Sequence, residues 1–200
     1  YVADQIAEVA ARRADDIAHR RTAITGVNEF PNLAEPTLPQ GDSSAPRYAT
    51  GNLQRYAAGF EALRDRSDAY LARTGSRPQM LLLPLGPLAE HNIRATFAAN
   101  LLASGGIEAV NPGTVDAVSV AKAVAEAGSP TVALICGTDK RYQNEAADIV
   151  EAARSAGVSS VYLAGPQKTV ADARHRPDES LTAKINAVEA LSNLLTRLGA

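Results

Sequence analysis

The chain of 200 residues holds three histidines and one cysteine, and the two that matter for chemistry fall in separate short stretches. His91 follows Glu90 in PLGPLAEHN, residues 84–92, and Cys136 opens the run Cys136-Gly137-Thr138-Asp139. An imidazole can bind a metal or move a proton, but a metal-bound histidine needs a neighbour that fixes its second ring nitrogen. The sequence supplies no such neighbour, so His91 reads as a surface histidine near a helix start. A thiol becomes a nucleophile when a nearby base or cation lowers its pKa. No histidine pairs with Cys136, which therefore reads as a small buried apolar side chain. Gly86 invites comparison with phosphate loops, yet neither G-x-G-x-x-G nor G-x-x-x-x-G-K-[ST] occurs. Ala164-Gly165-Pro166 is a turn of small residues that either admits a ligand close to the backbone or simply turns the chain. His19 and His175 lie among charges and read as solvated.

The elements around these residues decide where they stand. Residues 80–85 (MLLLPL) are continuously apolar, with Pro78 before and Gly86-Pro87 after, the pattern of a parallel strand covered on both faces. Ile93, Phe97 and Leu101, widened by Leu102, give a helix one apolar stripe, and Gly105-Gly106 ends it. Residues 107–110 form the next strand, which makes the unit a right-handed crossover. The alternation continues with a helix over 115–127 (Val115, Val118, Ala121 and Val124 inward), a strand over 131–136 and a helix over 142–156. Beyond them come a strand over 160–164, a stunted helix over 170–174, a strand over 181–185, and a last helix capped by Asn186. This predicts an α/β fold: a doubly wound, five-stranded parallel sheet of flavodoxin-like type, strand order 2-1-3-4-5. In such a sheet ligands lie beyond the carboxyl ends of the strands, where residues 84–92, Cys136 and Gly165 all fall.

Before this domain, residues 1–20 read as a helix striped by Val2, Ile6, Val9 and Ile17, and residues 23–27 as a short strand. Residues 28–46, with Pro31, Pro36, Pro39 and Pro46, read as an extended belt. Residues 53–73 read as a helix with Tyr56, Phe60 and Leu63 on its apolar side and a solvated charged stretch at Arg64, Asp65, Arg66 and Asp68. A net charge of -2 offers no footprint for nucleic acid. No apolar run suits a membrane, and a single cysteine fits a reducing cytoplasm. The chain opens Tyr1-Val2-Ala3 without an initiator methionine and reads as part of a longer polypeptide.

Several stretches together resemble the methylmalonyl-CoA mutases. RRTAITGVNEFPNL (20–33) is similar to the segment closing their substrate barrel, and RYAAGFEALRDRSD (55–68) to the stretch leading into their cobalamin-binding domain. LLLPLGPLAEHNIRATFAANLLASGGIEAV (81–110) and ALICGTDKRY (133–142) look like the small, or beta, subunit of the heterodimeric bacterial enzymes. The resemblance implies three regions: 1–30 as the remnant of a (β/α)8 barrel, 31–76 as linker belt and helix, and 77–200 as a degenerate cobalamin-binding-like domain. It implies an isomerase of propionate metabolism that interconverts methylmalonyl-CoA and succinyl-CoA through adenosylcobalamin.

Cobalamin-binding subunits of that family carry D-x-H-x-x-G after the first strand. Here the matching positions are Leu88, Glu90 and Ile93, and His91 is one residue late. Cys136-Gly137-Thr138 stands for the serine-rich loop and Ala164-Gly165 for a Gly-Gly pair. The resemblance thus implies a non-catalytic chain with no cofactor-binding residue of its own, His91 being the one weak candidate. Adenosylcobalamin is then expected on a large (alpha) subunit in a cytoplasmic heterodimer, and the edge near residues 85–91 is expected to be filled by its own side chains. The belt, helix 53–73, Tyr48, Tyr56 and Phe60 are the candidate contacts with that partner, with Phe60 docking instead on its own domain. Two other readings are a cobalamin-binding subunit using His91 and an unrelated flavodoxin-like binding module.

Overall fold

The computed structural model describes residues 1–35 and 55–200. Tyr48, most of the proline-rich belt and the first two residues of the expected helix 53–73 lie outside the described residues.

Five parallel strands form one sheet: β1 (Gln79–Pro84), β2 (Glu108–Val110), β3 (Val132–Cys136), β4 (Ser160–Ala164) and β5 (Glu179–Leu181). Their order is β2-β1-β3-β4-β5, with Leu82 opposite Leu134 and Leu134 opposite Tyr162 at the centre. This is the expected doubly wound flavodoxin-like topology. Alternate residues of β1 serve opposite layers. Met80 and Leu82 pack with α3 (Leu88–Ser104) and α6 (Ala187–Arg197) through Leu101, Leu102, Leu191 and Leu195. Leu81 and Leu83 pack with α4 (Val120–Glu126) and α5 (Asp139–Ser155) through Val124, Ile149 and Val150. Both faces of the central strands are thereby covered, which is why β1 reads as unbroken apolar sequence.

Several elements depart from the expected bounds. α4 starts at Val120, because Asp116 Oδ1 takes the backbone N–H groups of Val118 (3.1 Å) and Ser119 (2.9 Å) and holds a turn there. Val115 is recruited to the sheet instead, bridging Leu85 and donating its N–H to Pro84 O at 2.8 Å. Val118 is 89% exposed and makes no inward contact. β5 comes earlier than residues 181–185, since the Asp178 carboxylate takes Val161 N–H at 2.8 Å while Asp178 N–H donates to Val161 O at 2.7 Å. In place of the stunted helix over 170–174 there is a 3₁₀ turn, Gln167–Val170, whose buried Val170 is its anchor.

The N-terminal part differs most. α1 (Val2–Ala18) is helical, but Val2, Ile6 and Val9 are exposed and Ile17 alone of that stripe is buried. Residues 23–27 form no strand. They fold into a turn around Asn28, wholly buried, whose Oδ1 takes Ile24 N–H (2.7 Å) and whose Nδ2 donates to Thr22 O (3.0 Å) and Ile17 O (3.2 Å). The next residues dock on α3, with Phe30 N–H donating to Asn100 Oδ1 and Asn100 Nδ2 to Glu29 Oε2, each at 2.8 Å.

α2 (Ala58–Thr74) buries Phe60 and Leu63 against the α6 side of the core, while Tyr56 lies outside it, under the Arg13 guanidinium. The charged stretch on α2 is not merely a solvated face. Arg66 donates to Ser192 O, Ser192 Oγ, Thr196 Oγ1 and Ala200 O, and so clamps α2 to α6. Arg77 pairs with Asp68 at 2.7 Å and also reaches Ser67 Oγ.

Candidate functional site

β1, β3 and β4 bring residues 84–92, Cys136 and Gly165 to one carboxyl edge, as the topology requires. The chain leaves β1 through Leu85, whose N–H donates to Cys136 O at 2.8 Å, and turns at Gly86 with φ 72°. Only a residue without Cβ takes that left-handed conformation at little cost. Pro87 is extended and α3 starts directly after it, earlier than expected.

His91 therefore sits within the first turn of α3, and it is buried rather than a surface side chain, at 4% exposure. Its Nδ1–H donates to Gly86 O at 3.0 Å, and Thr114 Oγ1 donates to the same carbonyl at 3.0 Å. The histidine acts as a bracket that closes the β1–α3 turn. Glu90 points the other way and receives Arg141 Nε at 2.6 Å, while Arg141 also donates to Glu145 Oε1 at 2.6 Å. The Arg141 hydrogen bond holds the Glu90 carboxyl below its ordinary pKa. Leu88, the residue in the aspartate position of the resemblance, is 66% exposed.

Two arginines fill the edge. A Cβ on Gly86 would lie 2.6 Å from Arg141 Nε, and a Cβ on Gly165 would lie 2.9 Å from an Arg94 guanidinium nitrogen. Arg94 donates to Gly137 O at 2.8 Å, pairs with Asp139, and stacks 4.8 Å over the Tyr142 ring. Beneath it, Tyr142 Oη accepts from Gly137 N–H (2.9 Å) and donates to Ala164 O (2.7 Å), tying the ends of β3 and β4 together. Burial raises the Tyr142 hydroxyl to about 12. Cys136 is fully buried, and desolvation pushes its thiol up to about 12. It is an apolar filler here, as its surroundings in sequence suggested.

His19 lies back along α1, with Nδ1 2.9 Å from Asp15 O, and His175 faces Glu151 at 3.6 Å; both are remote from the edge and part-buried. Among the described residues no cluster of His, Cys, Asp and Glu is arranged to hold a metal, and no helix is long and apolar enough to cross a membrane.

Sequence reading missed Arg94, Arg141 and Tyr142 as occupants of the edge. One signal was available. Lys140 and Arg141 stand in the first turn of α5, where the helix dipole disfavours cations. A cation placed there is explained by a carboxylate brought to it, and Glu90 is that carboxylate.

These features define a doubly wound, flavodoxin-like α/β domain whose carboxyl edge carries its own arginine and tyrosine side chains. Along its whole length the chain is related to methylmalonyl-CoA mutase small subunits. It is 74% identical over 200 residues to a probable methylmalonyl-CoA mutase small subunit of Mycobacterium tuberculosis (strain ATCC 25618 / H37Rv), a match covering 100% of this chain and 32% of that protein. The methylmalonyl-CoA mutase small subunit of Streptomyces virginiae is 43% identical over 201 residues, covering 99% of this chain and 31% of that protein. That of Propionibacterium freudenreichii subsp. shermanii is 29% identical over 196 residues, covering 94% and 30%. The chain thus spans about a third of the length of the curated relatives it matches. No family model matches it. A solved structure of a cobalamin-binding protein from Desulfitobacterium hafniense DCB-2 aligns with a TM-score of 0.47 at 17% identity, over 72% of this chain and 68% of that one.

Proposed function

We propose that this chain belongs to the small subunit of an adenosylcobalamin-dependent methylmalonyl-CoA mutase, and that it supports a large, cofactor-carrying subunit without catalysing a step itself. The 74% identity to the mycobacterial small subunit across all 200 residues carries the assignment to the mutase. The filled edge supports the non-catalytic role. A cobalt ligand beneath a corrin must be a neutral nitrogen donor held on axis by a second group. Glu90 is an anionic oxygen donor already committed to Arg141. His91 is buried in a bond to Gly86 O, and Leu88 has no group to orient it. Arg141 and Arg94 lie directly against Gly86 and Gly165, where a nucleotide tail would approach the backbone. The residues present do not fit the cofactor. The hard radical chemistry then belongs to the cofactor on the partner. Residues 1–30 are on this reading the end of a barrel and residues 77–200 a degenerate cobalamin-type domain, in a cytoplasmic heterodimer that serves propionate metabolism.

One observation favours a second reading. Donating Nδ1–H to Gly86 O leaves the His91 Nε2 lone pair free, the tautomer a metal ligand would use. A cobalamin titration followed by absorbance separates the two. The supporting role predicts no shift in the cobalamin spectrum, and His91→Ala that leaves mutase activity of the assembled enzyme nearly unchanged. A histidine-ligated spectrum abolished by His91→Ala would establish the second reading. The supporting role itself fails if the purified large subunit reaches full activity and stability alone.

A further inference from the structure

Residues 171–178 run alongside α5 as a strap with neither helix nor strand, where a doubly wound fold usually carries a helix between its last strands. Both ends of the strap are tied down. Val170 and Ala173 pack in the layer of Ile149 and Val150. Asp178 exchanges two bonds with the Val161 backbone and receives Arg154 at 2.8 Å, while Arg154 also donates to Arg176 O at 3.1 Å. The middle of the strap holds an unfinished contact. His175 Nε2 is buried, has no hydrogen-bond partner among the described residues, and stands 3.6 Å from a Glu151 carboxylate oxygen. A buried polar atom without a partner is costly. The rest of the ring reaches solvent, the side chain being 29% exposed, so a proton has access to it.

We propose that His175 and Glu151 form a proton-operated latch: protonation of the imidazole closes the pair and holds residues 171–178 on α5, and loss of the proton loosens them. A neutral imidazole offers the carboxylate either a lone pair or an N–H beyond hydrogen-bond length. Protonation places a charged N–H there, and a closure of roughly 0.8 Å completes a charge-assisted hydrogen bond. An imidazole changes charge between about pH 5 and 8, where carboxylates stay ionised. The latch is therefore present at the acid end of that window and is lost as pH rises through it. The other charged groups on the packed elements are Asp148 and Arg154 on α5, and Asp172, Arg174, Arg176 and Asp178 on the strap. Arg154 and Asp178 are committed to each other, and Glu151 is the carboxylate at ion-pair distance from the ring. The strap leads into β5, which pairs with β4 alone, so the latch sets how firmly that edge strand is held. The proposal does not depend on the mutase reading.

The test is amide hydrogen exchange of the full chain, read at Ala173 and Asp178, whose N–H groups donate to Val170 O (3.1 Å) and Val161 O (2.7 Å). Comparing parent and variant at the same pH cancels the intrinsic pH dependence of exchange. At about pH 5.5, Glu151→Gln should lower protection of both amides about two- to fivefold, the scale of one partly exposed ion pair. At about pH 7.5 it should leave protection unchanged. His175→Gln should behave in the same way. His175→Lys carries a permanent charge and should keep the protection of the acidic parent at both pH values, which a merely structural histidine would not predict. Equal effects of Glu151→Gln at both pH values, no effect at either, or loss of protection in His175→Lys as pH rises would each overturn the latch.

Discussion

Gly86→Ala tests whether Arg141 occupies the ligand edge. Two costs combine. The backbone at Gly86 has φ 72°, and placing an L side chain in the left-handed region costs ~1–2 kcal/mol. The new methyl would sit 2.6 Å from Arg141 Nε, so the guanidinium must leave its position and its bond to Glu90. A displaced rotamer costs ~0.5–1.5 kcal/mol, while an ion pair this exposed is screened by solvent. The sum is about 1.5–3.5 kcal/mol. Gly75→Ala is the control: it has φ 84° but nothing within 4 Å of its Cβ, so it should show the backbone cost alone. Urea unfolding would compare midpoints at constant slope. In an Arg141→Ala background, Gly86→Ala should cost no more than Gly75→Ala, a coupling of ~0.5–1.5 kcal/mol in the double-mutant cycle. If Gly86→Ala matched Gly75→Ala in the parent chain, or if removing Arg141 gave no relief, the edge would not be filled as described.

Other outcomes follow from the same packing. Phe60→Ala, at 1% exposure in the core under α2, should cost ~3–5 kcal/mol in urea unfolding. Arg66→Ala removes the clamp on Ser192, Thr196 and Ala200 and should cost ~1–3 kcal/mol, with Arg66→Lys recovering only part because the planar fork is lost. Cys136 should resist iodoacetamide in the folded chain and react readily in denaturant, as a thiol raised to about 12 is not a nucleophile near neutrality. Because the folded thiol titrates above its ordinary 9.0, its contribution to stability is intact below pH 9.0 and is lost as pH rises toward about 12. Cys136→Ala should flatten the decline in stability over that window by up to ~1.4 kcal/mol per pH unit.

The sheet was legible in the sequence because its signals are local. Residues 80–85 are apolar throughout, the helical stripe of Ile93, Phe97 and Leu101 follows at once, and glycines close the helices. Such patterns set strand, helix and order without reference to distant contacts. The tertiary structure decided what those patterns carry. Ile93 belongs to the stripe by spacing yet is 81% exposed, because α3 starts at Leu88 and turns Ala95, Ala98, Leu101 and Leu102 inward. Residues 23–27 look like a strand, but the buried amide of Asn28 holds them in a turn. The pairings at the edge are not local in sequence. Glu90 and Arg141 are far apart in the chain, and so are Arg94 and Gly165; only the parallel sheet brings each pair together. Residue types alone raised the expectation that residues 84–92 hold no cofactor ligand. That guanidinium groups stand in the space beside Gly86 and Gly165 follows from strand register and from side chains converging across three loops.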